Sequence, residues 1–229
     1  YTFAVTKNAS ITANFVRQYD EVIDVENPGE GNDIGPYLKA AWDQASSGDL
    51  IRLPAGNYTI DGTIRLYASQ KPGVHIKGSG IEANGTTIYR DYETSDEMIA
   101  VYGSGSEKIE FSSIWFQGTP VRHNTSDQGT GYGGFKGLVF RSTDFYLHDC
   151  KLQWFSRAAV TVIHPTDQGM GLIADNEFVD NVTLQDDGSW SHGYGVVILG
   201  GRDQWASVTP GTEHFVFIED NRFTGQKHA

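Results

Sequence analysis

The chain has 229 residues, 38% of them hydrophobic, with 27 glycines, one cysteine and a formal net charge of −12. So acidic a chain argues against nucleic acid as a partner, since neutralising phosphates needs a basic surface; no apolar run is long enough for membrane insertion; and Cys150 alone cannot form an intrachain disulfide. Glycine and β-branched residues dominate and long helical patterns are nearly absent, which favours an all-β protein.

Residues 1 to 16, YTFAVTKNASITANFV, read as two alternating strands about the turn Lys7-Asn8, too short to fold alone. The phrase closing on Ile11-Thr-Ala-Asn-Phe15 resembles the last hairpin of an internalin B-type repeat, a small β module of bacterial surface and secreted proteins. That resemblance implies a chain that begins inside a domain, with neighbouring domains in a longer protein, outside the cell or on a bacterial cell surface. Residues 17 to 31 are polar, include Pro28, Gly29 and Gly31, and read as a linker.

One helix follows. Asn32 or Asp33 can cap it, Pro36 suits its first turn and Gly48 stops it. Ile34, Leu38, Ala41, Trp42 and Ala45 share one face. Next come GDLIRLPAGNYTI, residues 48–60, and GVHIKGSG, residues 73–80. A helix followed by these phrases resembles the opening of the pectate-lyase-like superfamily, the right-handed parallel β-helices. The resemblance runs from about residue 20 to residue 229. It implies that the helix caps the first coil, where a bare sheet edge would invite pairing with other chains. It implies little about activity, because this fold hosts lyases, hydrolases, epimerases and non-enzymatic adhesins.

The stretch Thr143 to Ile163, TDFYLHDCKLQWFSRAAVTVI, shows the repeating unit. Apolar Phe145 and Leu147 alternate, Cys150 sits at a tight turn, Leu152 follows, and Ala159 to Ile163 form a β-branched run. The form recurs at Ile109 to Phe116, at Ile173 to Phe178 and at Val216 to Phe223, giving about six coils from Asp49 onward. Stacking buries a core that no unit buries alone. Phe111, Leu147, Ile173 and Ile218 are therefore expected in one interior column. Asp149, Asp175 and Asp220 read as turn residues that bond the local backbone rather than as a metal site.

In the polygalacturonase branch of the superfamily, catalytic residues sit at the turn entering the third strand. Here that turn holds Lys136, Arg157, His192, Lys227 and His228, and the branch's paired aspartates are missing. A basic column suits β-elimination on a uronate: Arg157 offsets the carboxylate charge, and His192 or Lys227 removes the adjacent proton. Asp186 and Asp187 could hold Ca2+, a hard cation that wants several oxygens. The plain alternative for each basic residue is a solvated turn side chain, and for the two aspartates a polar loop tip. The insertions 117–134, 179–193 and 200–213 should wall one groove, with Trp190 and Trp205 as stacking platforms for sugar rings and Lys136, His164 and His228 as further substrate contacts. Against catalysis stands the groove floor, where Val139, Ala159, Thr161, Ile163 and Val197 are almost all apolar. The expected function is recognition or cleavage of an acidic or neutral polysaccharide, as a lyase on a uronate-containing glycan, with a non-catalytic adhesion or spacer module as the alternative.

Overall fold

The computed structural model describes residues 18–90, 97–119, 122–123, 135–164, 170–182, 184–185, 193–200 and 215–226, with backbone alone for 105–107, 122–123, 164, 184–185 and 200. The strands are β1 (Val22–Asp24), β2 (Leu50–Arg52), β3 (Gly56–Thr59), β4 (Ile64–Tyr67), β5 (His75–Lys77), β6 (Thr86–Tyr89), β7 (Glu97–Ser112), β8 (Ile114–Gln117), β9 (Arg122–His123), β10 (Lys136–His148), β11 (Lys151–Gln153), β12 (Ala158–His164), β13 (Gly171–Ala174), β14 (Glu177–Val179), β15 (Leu184–Gln185), β16 (Tyr194–Gly200), β17 (Val216–Glu219) and β18 (Arg222–Thr224), with one α-helix, α1 (Gly35–Gln44).

Each coil runs strand, tight turn, strand, wider turn, strand, and every described strand of the three faces pairs in parallel with its counterpart one coil away. The first face is β1-β2-β5, the second halves of β7 and β10, then β13 and β17. The second face is β3-β6-β8-β11-β14-β18. The third is β4, the first halves of β7 and β10, then β12 and β16. The chain is thus a right-handed single-stranded parallel β-helix with an N-terminal capping helix. β7 and β10 bend from the third face into the first without breaking the ladder. Ser142 turns at φ 49° there, the register shifts on either side of Thr143, and a Cβ on Gly103 would lie 2.6 Å from the Ser142 carbonyl oxygen.

The interior column is continuous. Ile23, Ile51, Ile76, Phe111, Leu147, Ile173 and Ile218 are register partners in succession. Those from Ile51 to Ile173 are fully buried, and Ile218 is 44% exposed on the last described coil. Tyr58, Ile88, Phe116, Leu152, Phe178 and Phe223 make the matching column of the second face. The tight turns follow one recipe. Asp149, Asp175 and Asp220 adopt positive φ near 50° to 56°, which Asp tolerates better than most residues. The next residue feeds an amide ladder: the Cys150 N–H donates to Asn176 Oδ1 at 2.9 Å, and Asn176 Nδ2 donates to Asn221 Oδ1 at 3.0 Å. The aspartate column is a column of turns. A second amide position occupies the wider turn, where buried Asn181 accepts from the Phe155 N–H at 3.0 Å and donates to the Leu152 carbonyl at 3.0 Å.

The helix covers the first coil with Ile34, Leu38, Ala41, Trp42 and Ala45, all buried. Its cap differs in detail from expectation. Ile34 holds the N-cap position, and the Asp33 carboxylate instead accepts the Gly35 N–H at 2.8 Å. At the other end the Lys71 ammonium donates to the carbonyls of Trp42, Asp43 and Ala45. A cation there satisfies C-terminal carbonyls and complements the helix dipole. Within the stretch read as linker, β1 forms one further parallel strand on β2. Residues 1 to 16 lie outside the described residues. No helix among those described is long and apolar enough to cross a membrane.

Candidate functional site

Outward from the third face run two ladders. Arg65, Ala100, Val139, Thr161 and Val197 are successive register partners, as are Tyr67, Tyr102, Arg141, Ile163 and Leu199. Of the expected apolar floor, Val139, Thr161 and Val197 lie on the first ladder and Ile163 on the second, while Ala159 packs into the core. Ala100 and Val139 are fully buried and Thr161 nearly so, although alternation points them away from the core. The second ladder is aromatic and cationic at its start. Tyr67 and Tyr102 stack with ring centroids 5.4 Å apart, and the Arg141 guanidinium lies 5.2 Å from the Tyr102 ring. Tyr67 is 48% exposed. The stack sets Tyr102 between Tyr67 and the Arg141 guanidinium, so Tyr67 is the ring of the ladder left to meet a pyranose.

Glu97 ties Lys136 to the second ladder. Its Oε1 accepts from Arg141 Nη2 at 2.6 Å and from Lys136 Nζ at 3.3 Å. Arg141 Nη1 is buried and makes no hydrogen bond among the described residues. Glu97 is the one carboxylate among the described residues of β4, β12, β16 and the third-face halves of β7 and β10. An inverting or retaining glycosidase centre needs two, and the described part of this face supplies one.

The predicted basic column is only partly assembled. Arg157 is half-buried at the turn entering β12; its N–H donates to the Phe135 carbonyl at 3.0 Å, and its own carbonyl accepts the Tyr194 N–H at 3.1 Å. The turns therefore stack coil on coil as expected. Lys136, however, pairs in register with Ala158, one position beyond Arg157. Its ammonium is engaged by Glu97 rather than presented alone. His164 ends β12 opposite Gly200, with only its backbone described. His192, Lys227, His228, Trp190, Trp205, Asp186 and Asp187 lie outside the described residues. Two of the predicted insertions do meet: β9 and β15 pair in parallel, Arg122 with Leu184 and His123 with Gln185. Tyr67, Tyr102, Arg141 and Glu97 escaped the sequence reading. Tyr67 and Tyr102 precede the regular repeat phrase, and only the register between β4 and β7 brings them together.

This architecture, three parallel faces closed by a helix and fringed by insertions, is that of the right-handed parallel β-helices. Similarity to known proteins narrows it. The chain is 30% identical over 156 residues to rhamnogalacturonase A of Aspergillus aculeatus, covering 65% of this chain and 30% of the relative. It is 27% identical over 160 residues to rhamnogalacturonase A of Emericella nidulans, covering 66% and 27%. With rhamnogalacturonase A of Aspergillus niger it shares 32% identity over 112 residues, covering 49% and 22%. The matches thus span less than a third of the length of these fungal relatives. No protein-family model matches the chain.

Proposed function

We propose that this chain is the solenoid portion of an extracellular enzyme that cleaves a uronate-containing polysaccharide of the rhamnogalacturonan class, bound along the third face. The observation that carries the reading is the aligned ladder Tyr67, Tyr102, Arg141. Half-exposed Tyr67 supplies an aromatic ring for stacking, and the Arg141 guanidinium further along the ladder supplies a cation suited to a carboxylate. Similarity to rhamnogalacturonases supports the same substrate class.

The relatives also bear on the bond-breaking chemistry. They are rhamnogalacturonases and not lyases, which favours hydrolysis over the β-elimination read from Arg157, His192 and Lys227. Hydrolysis then needs carboxylates from outside the described third-face strands. The elimination scheme keeps one supporting observation, the half-buried Arg157 at the mouth of β12. A non-catalytic spacer is favoured by the buried apolar floor of Ala100 and Val139. A bacterial cell-surface setting rests on the N-terminal hairpin resemblance, and calcium on Asp186 and Asp187 alone.

Incubation of the chain with rhamnogalacturonan and with unbranched polygalacturonate tests the reading. New reducing ends without ultraviolet absorbance, from the first substrate, are the expected result. Reducing ends with the absorbance of an unsaturated uronate would establish elimination. Binding to either glycan with no cleavage would establish the adhesion or spacer module instead.

A further inference from the structure

The outer side of the first face carries a polar cluster that the groove does not use. Register sets His75 of β5 beside Glu110 of β7, and Ser112 of β7 beside His148 of β10. The intervening Ile76, Phe111 and Leu147 fill the core, so these four point away from it, yet His75 is 3% and Glu110 7% exposed. Keeping polar groups so dry is costly unless they share partners. His148 Nε2 lies 3.1 Å and His75 Nδ1 3.4 Å from the same oxygen, Glu110 Oε1. One ligand atom from each of the three residues lies within 4.8 Å of the other two. The remaining imidazole nitrogens are also held: His75 Nε2 by Ser112 Oγ at 2.7 Å, and His148 Nδ1 by the Asp149 carboxylate at 2.6 Å. The Tyr19 hydroxyl, from the segment leading into β1, lies 2.5 Å from His75 Nδ1.

We propose that His75, Glu110 and His148 form a site for a divalent metal of the zinc class, with Ser112 and Asp149 as positioning residues. Two imidazoles and one carboxylate suit zinc and its borderline neighbours, whereas calcium and magnesium want more oxygens. Ligand bonds of about 2.0–2.1 Å in a tetrahedron put donor atoms about 3.3 Å apart. Two of the three separations already match. The Asp149–His148 pair repeats the carboxylate–imidazole–metal arrangement that fixes a ligating histidine's tautomer and ring orientation. Parallel register supplies the spacing, because each ligand strand lies about 4.8 Å from the next. The Tyr19 hydroxyl, hydrogen-bonded to the ligating His75 Nδ1, would exchange that bond for the fourth position on the ion. A bound ion would therefore clamp the entering segment across β2 onto β5, β7 and β10. The site sits on the first face and the glycan surface on the third, so the metal acts as a structural staple and not in substrate chemistry.

The test uses the whole chain, stripped with a chelator, then titrated with Zn2+ by calorimetry and with Co2+ by visible absorption. One equivalent of Zn2+, a Co2+ spectrum of tetrahedral intensity and a raised Tm are expected. His75→Gln and His148→Gln should each weaken binding at least ~100-fold, and Asp149→Ala by about 10–100-fold, the usual cost of losing a supporting hydrogen bond. Should the histidine variants fail to fold, wild-type protein still decides the matter: Zn2+ must shift the imidazole 15N resonances of two histidines, which report ligation whether or not the rings are exposed. Absence of binding below ~0.1 mM, binding unchanged in both histidine variants, or imidazole resonances unaffected by Zn2+ would each overturn the site.

Discussion

Removing the Asn176 side chain tests what holds the tight turns. Asn176 is 1% exposed, and its amide closes three contacts to the backbone. It accepts from the Cys150 N–H at 2.9 Å and donates to the carbonyls of Leu147 at 2.9 Å and Ala174 at 2.8 Å. Asn176→Ala leaves these groups facing a space too small and apolar to solvate them well. A buried donor without a partner costs about 1–3 kcal/mol. The two carbonyls keep their second lone pairs and belong at the low end of that range, so the total comes to about 3–5 kcal/mol. That is a large share of a typical domain's stability of about 5–15 kcal/mol. Asn221 makes the equivalent contacts to Ile173 and Glu219 on a half-buried coil that water reaches. Asn221→Ala should therefore cost nearer ~1 kcal/mol. Urea unfolding of the wild type and both variants gives the comparison, provided the slopes agree. Exchange of the Cys150 amide proton should speed up in Asn176→Ala by a matching factor. Equal destabilisation in the two variants, or less than ~1 kcal/mol in Asn176→Ala, would show that the ladder decorates the turns and does not hold them.

Leu147→Asp puts an unpaired carboxylate in the middle of the interior column and should unfold the solenoid, read by loss of the far-ultraviolet β signal. Burial pushes the Cys150 thiol up to about 12 from its ordinary 9. It should ignore a thiol reagent at pH 8 until the chain is unfolded. Between pH 9 and 12 the unfolded chain loses this proton while the folded chain keeps it, so stability falls as pH rises, by about 1.4 kcal/mol per unit for this group. Cys150→Ala should remove that slope from pH-dependent urea midpoints. Tyr67→Ala should weaken binding of a uronate oligosaccharide about tenfold or more, the worth of roughly 1–2 kcal/mol of ring stacking, with Tm nearly unchanged. Unchanged affinity would move the glycan off the third face. Arg157→Ala should leave Tm nearly unchanged and reduce turnover; a large drop in Tm would make Arg157 a structural residue.

Alternation and repeat spacing are local properties, and they sufficed for the coil. A strand buried on one side must place apolar residues two apart, and coils must match position for position. Phe111, Leu147, Ile173 and Ile218 could therefore be assigned to one column before any coordinates. The capping helix was legible for the same reason, through Ile34, Leu38, Ala41, Trp42 and Ala45. The surfaces were not. Which outward residues meet depends on register between strands far apart in sequence, and a shift of one position moves Lys136 from Arg157 to Ala158. Irregular segments between strands hid Tyr67 beside Tyr102, and Glu97 beside Arg141. The Lys71 cap joins residues 26 to 29 positions apart, and the His75–Glu110–His148 cluster spans three coils. Neither leaves a spacing in the chain that a periodic reading could detect, because through-space proximity across coils is set by the winding of the solenoid.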